Sequence, residues 1–171
     1  YFFSWQIYWS IFEFAIRTGT MGLILRSSSQ DEDLATMSKA GYYGSFRFNL
    51  FHLKDTVHKI RKLADFKGAY FLQPFLKGQY SGVLVTSNPI FPDQLLIEYS
   101  DRPMHVTLGK ESNLIHVSRL DFSFDRLGLT SDEYESFYNL CLIAQTIERE
   151  FGRPQNIEWV INNNRVYILQ A

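Results

Sequence analysis

The stretch Gly152-Arg153-Pro154-Gln155-Asn156-Ile157-Glu158-Trp159-Val160-Ile161-Asn162-Asn163-Asn164-Arg165-Val166-Tyr167-Ile168-Leu169-Gln170-Ala171 decides how the chain is read. Two apolar runs, Ile157 to Ile161 and Val166 to Leu169, flank the turn Asn162-Asn163-Asn164, so the segment predicts a β-hairpin. With a three-residue loop, a common hairpin length, Glu158 faces Ile168 across the strands and Asn156 faces Gln170. Side chains alternate between the two faces of a strand. Asn156, Glu158 and Gln170 then share one face, while Ile157, Trp159, Ile161, Tyr167 and Leu169 share the other, expected to be the core side. One sheet face thereby gathers a carboxylate and two amides, all oxygen donors of the kind Mg2+ accepts together with substrate phosphates. An exposed polar face on an edge hairpin gives the same pattern, and on pattern alone it is the simpler account. A two-residue loop would move Gln170 to the face opposite Glu158.

Upstream of the hairpin, a helix is expected from Ser131 to Phe151. Thr130 with Glu133 makes a capping box, and Gly152 with Pro154 ends the helix. Its apolar stripe is Tyr134, Phe137, Cys141, Ala144, Ile147 and Phe151, which makes Cys141 a packed core thiol. Before it come short strands at Ala69 to Gln73, Gly82 to Thr86, Gln94 to Tyr99, Met104 to Leu108 and Leu114 to Ser118, joined by turns suited to antiparallel connections. Leu53 to Ala64 has apolar residues at helical spacing under a basic outer face, and Leu23 to Leu25 is a short buried strand. Strands grouped between helices, without regular alternation, predict an α+β fold: a mainly antiparallel sheet packed with helices.

The chain has 171 residues, enough for one domain with a sizeable core. Its net charge of -1 carries no footprint for nucleic acid or an anionic membrane. The single cysteine excludes an intramolecular disulfide framework and suits a reducing compartment, so a cytoplasmic location is expected. Tyr1 to Ile16 is strongly aromatic but shorter than the roughly 20 apolar residues of a spanning helix. Gln6, Ser10, Glu13 and Arg17 fall on one helical face and Trp5, Trp9, Phe12 and Ile16 on the other, so residues 1–21 predict an amphipathic helix docked on a core by its aromatic face, plus a turn, with a helix lying in a membrane interface as the alternative. Tyr1 in place of Met, and a chain closing on a strand, lead us to expect a domain incomplete at both ends.

Two further stretches carry polar or flat-ring chemistry. Arg26-Ser27-Ser28-Ser29-Gln30-Asp31-Glu32-Asp33-Leu34, after the buried strand, fits either a phosphate cradle or a capped helix start. Gln73-Pro74-Phe75-Leu76, followed by Tyr80 to Pro89, fits either a strand giving way to a hinge that takes an adenine ring against Phe75 and Leu76, or an ordinary strand pair in a core.

Taken in order, these segments resemble the ATP-binding domain of the pyruvate phosphate dikinase and phosphoenolpyruvate synthase family. Arg26-Ser27-Ser28, Glu32-Asp33-Leu34 and Ser38-Lys39-Ala40-Gly41-Tyr42 are similar to its first signature. Gln73 to Leu76 resembles its adenine-side strand, and Ser81-Gly82-Val83 through Asn88-Pro89 a following segment. Gly152 to Trp159 with Tyr167 to Ala171 resembles its terminal signature. The resemblance covers roughly Gly22 to Ala171 and implies a partial ATP-grasp domain over 22–171. It implies ATP and Mg2+ as cofactors, with phosphate passed to a histidine on a separate swivelling domain and then to an acceptor such as pyruvate. On that resemblance Arg26 is the catalytic residue and contacts phosphate oxygens, Gln73, Phe75 and Leu76 lie along the adenine, and Glu158, Gln170 and Asn156 are on the metal.

The sequence departs from the family pattern in several places. Asn156 stands where the family has aspartate, and Lys39 and Tyr42 replace its phenylalanine and glutamine. The arginine that follows Leu-Gln-Ala, the glycine- and lysine-rich N-terminal segment, and the phosphoryl-accepting histidine segment are not in this sequence; His52, His58, His105 and His116 are isolated. The expected function is therefore the ATP- and Mg2+-binding part of a phosphotransferase, a fragment inactive by itself. A non-catalytic nucleotide-binding module, or an interaction domain that has lost nucleotide, are the alternatives that Asn156 and Lys39 motivate.

Overall fold

A computed structural model describes residues 2–28, 46–49, 69–102, 105–106, 109–125 and 128–171. The segments Glu32 to Asp33, Ser38 to Tyr42 and Leu53 to Ala64, on which three of the expectations rest, lie outside the described residues. The elements are α1 (Phe2–Thr18), β1 (Gly22–Ser28), β2 (Phe46–Asn49), β3 (Ala69–Pro74), β4 (Tyr80–Val85), β5 (Gln94–Ser100), β6 (Asn113–Ser118), α2 (Ser131–Phe151), β7 (Asn156–Asn162) and β8 (Arg165–Gln170). Two antiparallel sheets and two helices make the described residues an α+β arrangement. The chain divides into two compact units, Tyr1–Leu76 and Lys77–Ala171.

In the first unit β1 is the centre of a three-stranded sheet, in the order β2-β1-β3. Leu23, Ile24 and Leu25 are buried, and the strand runs on through Arg26 to Ser28, longer than its apolar run alone suggests. Pro74 closes β3 on the outer edge of this sheet, where a missing backbone donor disrupts no ladder. Helix α1 touches β3 and buries Ile11 and Ala15, each 3% exposed. The aromatic stripe expected to dock is instead turned outward, with Trp5 77% and Trp9 66% exposed. The helix is apolar on more than one side, so periodicity cannot choose a face. The slim pair Ile11 and Ala15, one turn apart, lets the backbone approach its neighbours where indoles would hold it off. No helix among the described residues is long and apolar enough to cross a membrane.

The second unit is a five-stranded sheet in the order β6-β5-β4-β7-β8, covered on one face by α2. Leu84, Leu95, Ile97, Ile115, Val117, Ile157, Trp159 and Ile161 point into that core from β4, β5, β6 and β7. Helix α2 meets them with Phe137, Leu140, Cys141 and Ala144; Tyr134 and Phe151, expected in the stripe, are largely exposed at its flanks. Burial pushes the Cys141 thiol up to about 12, so it packs as an inert apolar group. Thr130 and Glu133 form the capping box, and Gly152 ends the helix with φ 67°, a left-handed conformation that costs glycine little. The strand expected at Met104 to Leu108 is not formed by the residues described there. His105 and Val106 sit in a turn, accepting from Lys110 N–H at 2.9 Å and Gly109 N–H at 3.0 Å, which a positive φ at Gly109 closes.

Candidate functional site

The sequence-selected residues fall into two sets, one within each unit. In the second unit, the closing hairpin turns on two residues, Asn163 and Asn164, with φ of 50° and 58°, because Asn162 already pairs with Arg165. Both central residues at positive φ suit the right-handed twist of the strands, and asparagine tolerates that conformation. The ladder then runs Ile161 with Val166, Val160 with Tyr167 and Trp159 with Ile168. Between Trp159 and Glu158 the register shifts, and Glu158 pairs with Gln170, leaving Leu169 as the extra residue of a β-bulge.

This corrects the three-residue loop. Asn156 does not face Gln170; it pairs with Val85 of β4. Tyr167 pairs with Val160 on the face away from the core, whereas Val166 and Ile168 pack against it. The bulge nevertheless returns Gln170 to the side of Glu158. Glu158 is half-buried and Gln170 exposed, and Asn156, two residues before Glu158, opens onto the same face. The donor set fits a hard cation: one carboxylate oxygen pair and two amide oxygens on one sheet face. Among the described residues no cluster of three or more His, Cys, Asp or Glu side chains is close enough to hold a metal, so any cation here depends on amides as well as on Glu158.

In the first unit, Ile24 pairs with Gln73 on one side and Arg47 on the other, while Arg26 pairs with Phe71. Period two then places Arg26, Arg47 and Gln73 on one face of this sheet. Arg26 is only 7% exposed, a guanidinium held inside the unit and belonging to the strand itself. Phe75 continues past β3, its N–H donating to Gly22 carbonyl at 2.9 Å, and Leu76 follows, half-buried. The guanidinium carbon of Arg47 stands 3.6 Å above the Phe75 ring centroid, a cation–π contact. Arg47 was not singled out from sequence: it lies in a short strand with no motif, and only the register of β1 with β2 puts it across Ile24 from Gln73 and over Phe75.

Asn88-Pro89, part of the motif series, has a structural role. The Asn88 side-chain oxygen accepts Ile90 N–H at 2.9 Å, and Asn88 N–H donates to Gln94 carbonyl at 3.0 Å, so the residue shapes the β4 to β5 turn. Nearby, Arg119 donates to the Thr86 carbonyl and pairs with Glu148 of α2 at 3.0 Å, tying the helix to the ends of β4 and β6.

No family model matches the sequence. The chain is 22% identical over 198 residues to a protein of Archaeoglobus fulgidus named probable phosphoenolpyruvate synthase, in an alignment that takes in 86% of this chain and 26% of that protein. The chain thus spans about a quarter of the length of the relative it matches.

Proposed function

We propose that this chain is the ATP- and Mg2+-binding part of a phosphotransferase of the phosphoenolpyruvate synthase kind, with an ATP-grasp fold. The observation that carries this reading is the direct pairing of Glu158 with Gln170 on the face away from the core, achieved through a bulge. Bulges occur at sheet edges and next to active sites, and this one re-aims Gln170 toward Glu158. The distant likeness to a probable phosphoenolpyruvate synthase supports the same reading.

Glu158 and Gln170 would hold Mg2+, with Asn156 contributing an amide oxygen; bound there, the cation would neutralise charge on phosphate oxygens. Arg26 would bind phosphate oxygens. Sheltered from water, its charge acts through a lower dielectric and is worth more than on the surface. Gln73, Phe75 and Leu76 would lie along the adenine, with Arg47 over Phe75 completing a flat cationic surface. Phosphate would pass onward to a histidine on a swivelling domain and then to an acceptor bound by a further domain.

Calorimetry of ATP with and without Mg2+ tests the nucleotide reading, on this chain and on a version extended at both ends, with Glu158→Ala as the control. Binding that needs Mg2+ and is lost in Glu158→Ala is expected. No heat in the extended protein would remove both nucleotide readings, and Mg2+ dependence unchanged by Glu158→Ala would remove the metal assignment.

Asn156 favours a second reading, a nucleotide-binding module that does not transfer phosphate. It opens β7 exposed and brings no negative charge to the metal face. Mg2+-dependent ATP binding without any phosphohistidine formed in the extended protein would select it.

A further inference from the structure

A concave site lies in the unit Lys77–Ala171, at the N-terminus of α2 and apart from Glu158 and Gln170. A groove of about 240 Å3 opens there, walled by Tyr80, Asp132, Glu133, Ser136, Ile161 and Asn164. Its volume falls below the ~300 Å3 at which pockets for drug-sized ligands begin, so it suits one small group. Among the described residues that line it, none is a lysine, arginine or histidine.

A helix N-terminus ordinarily draws an anion. Here that charge is already answered from within. Glu133 accepts Thr130 N–H at 2.8 Å and Thr130 Oγ1–H at 2.9 Å with one oxygen, and the Tyr80 hydroxyl at 2.5 Å with the other. Asp132 adds a second carboxylate in the same turn. An anion entering the groove would meet the carboxylates of Asp132 and Glu133.

The observation that points to a ligand is Ser136. Its side chain is 98% buried, being 2% exposed, yet lines the groove, and its Oγ has no hydrogen-bond partner among the described residues. Buried hydroxyls are almost always paired, and this one offers two lone pairs and a donor. The Tyr80 hydroxyl spends its proton on Glu133 and keeps oxygen lone pairs for another donor. The groove is therefore rich in acceptors, the Asp132 carboxylate among them, with a hydroxyl waiting in its wall.

We propose that this groove binds a primary ammonium group, carried by a lysine side chain or by a small free amine, with Ser136, Asp132 and Tyr80 accepting its three N–H bonds. The site is independent of the nucleotide reading and stands or falls separately.

The test is a titration of the isotopically labelled chain followed by backbone amide resonances. The probes are n-butylammonium chloride and N-acetyl-lysine methylamide, with n-butanol and calcium chloride alongside. Saturable shifts confined to Gln79, Tyr80, Thr130 to Ser136 and Asn164 are expected with the amines. Saturation by both amines supports the site, and their relative affinity distinguishes a free amine from a lysine side chain as its source. Affinity should fall about tenfold in Ser136→Ala, the loss of one charge-assisted hydrogen bond, and by at least as much in Asp132→Asn. Asp132 is exposed, so that variant keeps its fold even should Ser136→Ala lose it. An equal response to butanol, saturation by calcium without an amine response, or amine binding untouched by Asp132→Asn would each overturn the proposal. So would the absence of saturable shifts.

Discussion

Glu158 sits directly across from Gln170 in the β7–β8 ladder, although only Asn163 and Asn164 separate the strands. In an unbroken ladder with that loop, Leu169 would face Glu158 and Gln170 would turn to the core side. The bulge at Leu169 reverses this. Removing Leu169 should therefore preserve the pair, because an unbroken ladder then brings Gln170 opposite Glu158. Exchanging the two residues, Leu169→Gln with Gln170→Leu, should break it. Calorimetry with Mg2+ and ATP is expected to show binding retained in the deletion and lost in the exchange; the reverse order would refute the register as the basis of the site.

Gly82 is paired with Tyr99 on one side and Trp159 on the other, at the middle of the five-stranded sheet. A Cβ there would run into the backbone carbonyl of Glu98, which has no room to retreat within its own ladder. Gly82→Ala is expected to cost about 3 kcal/mol, read as a lower urea midpoint with unchanged slope. A loss near zero would mean that the strands are spaced differently.

The hydrogen bond to Glu133 and partial burial push the Tyr80 phenol up from 10.0 to about 12. Its folded-state value is the raised one, so its contribution to stability is complete below pH 10.0 and is lost as pH climbs through about 12. Tyrosinate absorbance should show a late-titrating component that is absent from Tyr80→Phe. In that variant the stability difference from the parent should shrink over the same alkaline window. Full ionisation of every tyrosine near the ordinary value would contradict the Glu133 contact.

Arg119 links three elements, through the Thr86 carbonyl and through Glu148 of α2. The pair is partly sheltered, not fully buried, so Arg119→Ala is expected to cost about 2 kcal/mol, between the surface and buried limits. Glu148→Gln, which keeps a hydrogen-bonding oxygen, should cost about half as much. Chemical denaturation of both variants and their double mutant measures the coupling; strict additivity would show that the two side chains do not act together.

Helix α2 and most strands were legible in the sequence because their signals are local. Thr130 and Glu133 announce one end of the helix and Gly152 the other, within a few bonds of the backbone groups they satisfy. Strands β4, β5 and β6 alternate because one face is more deeply buried than the other. Where that condition failed, so did the reading. Helix α1 is apolar on more than one side, and its docked face came out as Ile11 and Ala15 instead of the tryptophans. At His105 and Val106 a β-like composition gave way to hydrogen-bonded turns.

The same division holds for the candidate site. The sequence by itself determined which residue types stand at the closing hairpin, a carboxylate and amides among apolar residues, and that Asn156 and Glu158 share the face opposite Ile157 and Trp159; the side taken by Gln170 rests on the bulge. Only the tertiary structure decided their partners. Alternation fixes the side of each residue along one strand, but pairing depends on loop length and on a bulge, neither of which leaves a periodic mark. For the same reason Arg47 entered the site unannounced: its place across Ile24 from Gln73 and above Phe75 comes from ladder register between segments distant in sequence.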